Sequence, residues 1–156
     1  MGTIENICVS RRKGTVKKSV EKAEIKSNWG IVGDAHAGNW HRQVSLLAGE
    51  SIDRMKNILP ALTPGAFAEN IVTRGFYLHR LKIGDHLLLA GSALLKVTQI
   101  GKECHKACAI KTQTGDCIMP KKGIFARVLQ GGSIKIGDSI ELVSITKEEC
   151  IQVTDH

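Results

Sequence analysis

The tetrapeptide Lys-Ile-Gly-Asp occurs twice, at 82–85 before HLLL and at 135–138 before SIEL. In each copy a Gly-Asp turn launches a short apolar strand, because glycine takes the backbone conformations that tight turns require. The pattern recurs along the chain. TIENICVS at 3–10 reads as a first strand, and 20–25 alternates apolar and polar residues as a half-buried strand does. QVSLL at 43–47 is a further short strand. HLLL turns at Ala90-Gly91-Ser92 into ALLKVTQ, a hairpin by composition, and its second strand, 94–99, breaks at Gly101. Helical spacing appears at 51–59, where Ile52, Met55, Ile58 and Leu59 recur on one face and Pro60 stops the run. GIFARVL at 123–129 reads as another short helix, ended by Gly131-Gly132. Many short strands, glycine turns and about three short helices predict a mainly β domain closed, or nearly closed, as a barrel. Strand–helix alternation of the parallel α/β kind is absent, and so are the glycine-rich nucleotide-binding motifs.

The 156 residues suit one domain, here 1–146, followed by a polar tail at 147–156. With aromatics at 4 %, the core must rest on Val, Ile, Leu and Ala. A net charge of +7 favours anionic partners, such as nucleic acid, phosphorylated cofactors or acidic surfaces. One Tyr, two Trp and three Phe give little base-stacking surface, which speaks against nucleic acid. The cationic stretch Arg11, Arg12, Lys13, Lys17 and Lys18 around Gly14 reads as a solvated hairpin. No apolar run follows Met1 and none approaches the ~20 residues that span a bilayer, so the expectation is a cytoplasmic protein with reduced thiols.

Chemistry concentrates in two stretches. The first is NWGIVGDAHAGNWHRQ at 28–43, whose glycines, Trp, His and Asp34 form a long polar loop. Loops of this length inside small domains are commonly functional. His36 and His41, with Arg42 beside the second, are suited to a bound anion. The second is VTQIGKECHKACAIKTQTGDCIMP at 97–120, which carries Cys104, Cys108 and Cys117. Cys104 follows a strand exit between Lys102 and His105, where positive charge favours the nucleophilic thiolate. The alternative is that these cysteines pack as small hydrophobes. A zinc site from Cys104, His105, Cys108 and Cys117 departs from the usual paired C-x2-C spacing. In AFAENIVT at 66–73, Glu69 and Asn70 lie among apolar neighbours and require hydrogen-bond partners for fold or ligand. Arg127, between apolar residues, is a snorkelling side chain or an anion ligand.

Six segments in sequence, GDAHAG at 33–38, RQVSLL at 42–47, PGAFAENIVTRG at 64–75, LKIGD at 81–85, VTQIGKECH at 97–105 and GIFARVLQGG with IKIGD, resemble the MOSC domain. MOSC names the C-terminal domain of molybdenum cofactor sulfurases, and GKECH, GDCIMP and GIFA resemble its compact stand-alone bacterial branch. The resemblance implies a β-barrel, molybdenum cofactor (molybdopterin) as ligand, and Cys104 in the position of the family's characteristic cysteine. There it would ligate molybdenum or carry sulfur as a persulfide. A thiolate is both a soft metal donor and a nucleophile toward sulfane sulfur. His36, Arg42, Asn70, Lys102, His105 and Arg127 become the candidate cofactor-binding residues. The resemblance also implies a sulfur donor or electron-transfer protein as partner, with reduction of N-hydroxylated compounds as the enzymatic form of the function. Other readings are a non-enzymatic basic adaptor or nucleic-acid-binding module, and a structural zinc protein. Many relatives place Arg and Pro before the cysteine, where this chain has Lys102 and Glu103, and the neighbouring carboxylate opposes thiolate formation.

Overall fold

The computed structural model describes residues 1–13, 15–101 and 122–144. The strands are β1 (Gly2–Val9), β2 (Lys18–Val20), β3 (Lys22–Lys26), β4 (Gly30–Ile31) and β5 (Val44–Ala48). After helix α1 (Gly49–Lys56) come β6 (Ile71–Arg74), a 3-10 turn at Leu78–Arg80, β7 (His86–Leu89) and β8 (Ala93–Ile100). The last three are β9 (Ile124–Gln130), β10 (Gly132–Lys135) and β11 (Ser139–Val143). The main sheet runs β11-β7-β8-β9-β5-β6-β1-β2, and pairing of β1 with β11 closes seven of these strands into a barrel. A smaller sheet, β10-β3-β4, stands beside it. The barrel and the small three-stranded sheet together confirm the mainly β expectation.

The apolar cluster of the barrel interior is built from Ile, Leu, Val and Ala, including Ile7, Leu46, Ile71, Leu87, Leu95 and Val97. A second cluster lies on the outer wall, where Ile52 and Met55 of α1 pack on Leu47, Val72, Phe67 and Phe125. Successive strand residues face opposite sides, so Val44 and Leu46 point inward while Ser45 and Leu47 point outward. Arg74 fastens α1 to the wall, with Nη1 2.8 Å from Asp53 and Nη2 2.8 Å from Glu5 on β1.

The two Lys-Ile-Gly-Asp copies adopt one geometry. Asp85 N–H donates to Lys82 O and Asp138 N–H to Lys135 O, closing each turn. The aspartate side chain returns to the first residue, accepting from Lys82 N and Lys135 N at 2.8 Å each. Gly84 and Gly137 occupy the third position at φ +99° and +95°, and each donates its N–H to a neighbouring strand, at Val97 O and Ile4 O. The 90–91 turn is tighter still: Ala90 and Gly91 both have positive φ, the hairpin geometry that follows the strand twist.

Three expectations require correction. GIFARVL is not a helix but most of β9, paired with β5 on one side and β8 on the other. Its Ile124, Ala126 and Val128 face the barrel interior and Phe125 and Arg127 the outside, a period of two that a short apolar run conceals. Among the described residues the element order holds one α-helix, α1, and one 3-10 turn. The helix at 51–59 ends at Lys56, before Pro60, and begins two residues earlier than expected. Lys17 does not belong to a solvated hairpin: it is completely buried.

A side chain added at Gly84 or Gly137 would meet open space, so its cost is conformational only. Gly84→Ala and Gly137→Ala should each lower stability by about 1–3 kcal/mol, the usual cost of an L-residue held in such a conformation. The antiparallel register places the turns at opposite ends of the β7–β11 pair, so the losses should add in the double variant, as read by urea denaturation.

Candidate functional site

Three loops gather on the outer wall of the barrel, over β5, β6 and β9. The core of their assembly is Lys17. Its Nζ lies 2.6 Å from Asp34 Oδ1, 2.9 Å from His36 Nδ1 and 3.2 Å from Ser10 Oγ. An ammonium has three protons to donate, and here each meets an acceptor. Asp34 is equally well served, since Oδ1 also accepts from Ser10 N and Oδ2 from His36 N. Burying an ion pair is tolerated only when its remaining hydrogen-bonding capacity is met, as it is here.

The loop 63–70 closes over the backbone of Lys17. Lys17 N donates to Gly65 O at 3.0 Å, and a Cβ on Gly65 would lie 1.9 Å from Lys17 O. No side chain fits there. Glu69, wholly buried, accepts from Gly65 N and Phe67 N, both at 3.0 Å. Burial raises its pKa, opposed by those backbone donors and by Lys17. Asn70 joins three strands: Oδ1 accepts from Ser45 N and Oγ, and Nδ2 donates to Cys8 O. The carboxylate–amide pair that looked out of place in the sequence is therefore the internal frame of this loop. Between them, Ala68 stands at φ +61°, a strained value for a residue with a side chain.

Beside this frame is a cavity of about 260 Å³ lined by Lys13, His36, Trp40, Arg42, Ser45, Ala68, Asn70 and Phe125. Trp40 organises its charge. Lys13 Nζ is 5.0 Å and the Arg42 guanidinium 4.6 Å from the ring centre, both within reach of cation–π attraction. The His36 ring lies parallel to it at 6.4 Å, and Trp40 Nε1 donates to His36 O at 2.7 Å. Arg42 also faces the Phe125 ring at 5.7 Å. Its buried Nε–H has no hydrogen-bond partner among the described residues. A guanidinium held between two aromatic rings with an unspent donor is suited to a multivalent anion.

Of the candidates named from the sequence, the fold brings His36, Arg42 and Asn70 together at this cavity. Among the described residues, one N–H of Asn70 Nδ2 has no partner. Arg127 does not line it. Its Nε donates to Asn28 Oδ1 at 3.0 Å and its Nη2 to Asn39 Oδ1 at 2.5 Å, so it braces both ends of the 28–39 loop. His41 bonds Gln99 at 2.8 Å, and its carbonyl accepts from Thr98 Oγ1. Lys102, Cys104, His105, Cys108, Cys117 and the tail at 147–156 lie outside the described residues. The ends of that internal segment are close together: Gly101 N donates to Gly123 O at 2.7 Å, and Gln99 pairs with Phe125 of the cavity wall. Lys13, Trp40, Ser45, Ala68 and Phe125 were missed in the sequence. Trp40, between His36 and Arg42, was the available signal. Among the described residues, no group of three or more His, Cys, Asp or Glu could hold a metal ion, and no helix is long and apolar enough to cross a membrane.

The fold and site define a small closed β-barrel domain with a cavity on its outer wall lined by Lys13, Arg42 and the Trp40 and Phe125 rings. The chain belongs to the MOSC domain family, whose model matches residues 33–141. That family is associated with binding of the molybdenum cofactor. The fold is similar to crystal structures of the YuaD protein from Bacillus subtilis and of YiiM from Escherichia coli and Geobacillus stearothermophilus. Identities are 21 %, 20 % and 22 %, with TM-scores of 0.75, 0.67 and 0.68. The alignments cover 93 %, 94 % and 96 % of this chain, and 97 %, 71 % and 78 % of those chains. No curated protein matches the sequence.

Cys8 is the one cysteine among the described residues, and it is buried against this frame. Burial, with Glu69 adding to it against Lys17, pushes its thiol from 9.0 to about 12. The folded chain thus keeps the proton where the unfolded chain loses it, so Cys8 should subtract stability as pH rises from about 9 toward 12. At neutral pH it should resist iodoacetamide until the protein is unfolded, as read by peptide mass spectrometry. Rapid alkylation of native protein at Cys8 would contradict this placement.

Proposed function

We propose that this domain binds the molybdenum cofactor, with the phosphate-bearing end of the pterin in the cavity lined by Lys13, His36 and Arg42. The observation that carries the reading is the buried, unspent Nε–H of Arg42 between the Trp40 and Phe125 rings. At about 260 Å³ the cavity is smaller than a complete phosphorylated pterin requires, and its donor set fits the anionic end. Trp40 holds both Lys13 and Arg42 within reach of its ring, so the charge is in place before the anion arrives. Ser45 and Asn70 supply polar edges on the barrel wall.

Cys104 is proposed as the thiolate that ligates molybdenum or accepts a sulfane sulfur. Two features support it: the resemblance, which puts Cys104 at the family's characteristic position, and the pairing of Gln99 with Phe125 of the cavity lining. When bound, the cofactor would supply a metal able to take up an oxygen atom with a two-electron change of oxidation state, or to carry a sulfur ligand with none. Lys102 and His105 would assist at the same thiol. Carrier or sulfur-handling work needs only a sulfur donor, whereas reduction of N-hydroxylated compounds needs an electron-transfer partner. The reading favours the carrier role.

Protein purified from a molybdate-supplied host should contain molybdenum and a pterin, measured by metal analysis and mass spectrometry. Arg42→Ala should reduce pterin retention about tenfold or more, the effect of one charged hydrogen bond and its cation–π support. Cys104→Ala should deplete molybdenum more than pterin. Equal molybdenum in the wild type and Cys104→Ala would remove that thiol from the role, and wild type lacking both metal and pterin would overturn the proposal.

A further inference from the structure

His36 presents one edge of its ring to a buried cation. Its Nδ1 is 2.9 Å from Lys17 Nζ, and Lys17 has no exposed side-chain surface. The 2.6 Å contact to Asp34 marks Lys17 as an ammonium, which donates and cannot accept. Nδ1 must therefore be the unprotonated nitrogen, and the proton of the neutral ring resides on Nε2. Among the described residues, Asp34 Oδ2 is also near Nδ1, but at 3.9 Å, and it accepts the His36 backbone N–H. Tautomers of histidine are set in this way by the bond that the second nitrogen makes.

We propose that Lys17 is a positioning residue that locks His36 in the Nε2–H tautomer, making it a neutral donor to anionic oxygen at the cavity. The ring lines the cavity and its side chain keeps 28 % of its surface exposed, although Nδ1 is engaged inward. Whatever meets Nε2 must then be an acceptor, such as a phosphate oxygen. While Lys17 holds Nδ1, that nitrogen is closed to metal ligation and to proton abstraction. The buried ammonium thus serves the cavity at one remove. It adds no donor to the cavity lining and fixes the direction of a donor that is there. The choice of phosphate as the acceptor rests on the reading of the cavity given above, whereas the tautomer does not.

Nitrogen-15 spectra of the histidine rings test this in the ligand-free full chain. His36, assigned by comparison with His36→Gln, should show a protonated Nε2 and an unprotonated Nδ1 at neutral pH. A protonated Nδ1 in the wild type would overturn the proposal without reference to any ligand. Lys17→Met should release the ring to a mixture of tautomers, whereas Lys13→Met, which removes a cavity cation, should leave the tautomer unchanged. Persistence of pure Nε2–H in folded Lys17→Met would also overturn it. Should that variant not fold, the wild-type spectrum still decides. Titration with inorganic pyrophosphate should shift His36 Nε2 in the wild type. If the tautomer is as stated but pyrophosphate leaves Nε2 unmoved, the positioning role toward an oxyanion fails, irrespective of whether molybdenum and pterin are retained.

Discussion

The pairing of Lys17 with Asp34 underlies everything on the outer wall of the barrel. Two charges removed from water cost several kcal/mol each, and only a complete set of partners repays that cost. Those partners come from separate segments: Ser10 at the end of β1, Asp34 and His36 in the long loop, and Gly65 through the Lys17 backbone. Loss of either charge would strand the other, which costs roughly 3–5 kcal/mol in comparable buried pairs. The pair therefore acts as a clasp. It compels three otherwise independent loops to meet at one place, and the cavity forms where they meet.

The clasp explains the odd composition of the PGAFAEN stretch. Gly65 is required because the Lys17 carbonyl occupies the space of a side chain. Glu69 is required because Gly65 and Phe67 present N–H groups inward that water does not reach. Asn70 adds side-chain bonds to Ser45 N and Cys8 O beside its own backbone bonds to the same two residues on β5 and β1. With these groups satisfied, Ala68 is held in a left-handed conformation that it would not choose alone, and it faces the cavity. Strain confined to a well-supported loop beside a cationic cleft is a common feature of binding sites.

Much of the barrel was legible in the sequence because its turns carry local chemistry. Each Lys-Ile-Gly-Asp turn contains its own glycine and its own aspartate acceptor, so four residues determine it. GIFARVL was not legible because a strand with neighbours on both sides, in a barrel covered on part of its outer wall, shows a nearly continuous apolar run. The site divides along the same line. His36 and Arg42 could be named, since a polar loop rich in Trp and His offers few other uses. Lys17 could not: among Arg11, Arg12, Lys13, Lys17 and Lys18 nothing local distinguishes the one that turns inward toward Asp34, seventeen residues on. Arg127 was read as a snorkelling side chain or an anion ligand; its partners, Asn28 and Asn39, are 99 and 88 positions away, beyond any local signal.

The scarcity of aromatic residues bears on where the site lies. A seven-stranded barrel has little interior space, and its apolar cluster here is built from aliphatic side chains. Such an interior, with Thr73 Oγ1 as a buried hydroxyl among aliphatic side chains, offers little to orient an anion. The proposed binding therefore uses the outer wall, where strand alternation already turns Ser45, Phe125 and Arg127 outward. On that wall an anion needs cations that do not lose much freedom on binding it. Two aromatic faces meet that need, because Trp40 and Phe125 restrain Arg42 without using its hydrogen-bond donors. An interior built from aliphatic residues and a cleft built from aromatic and cationic ones are thus two consequences of one narrow barrel.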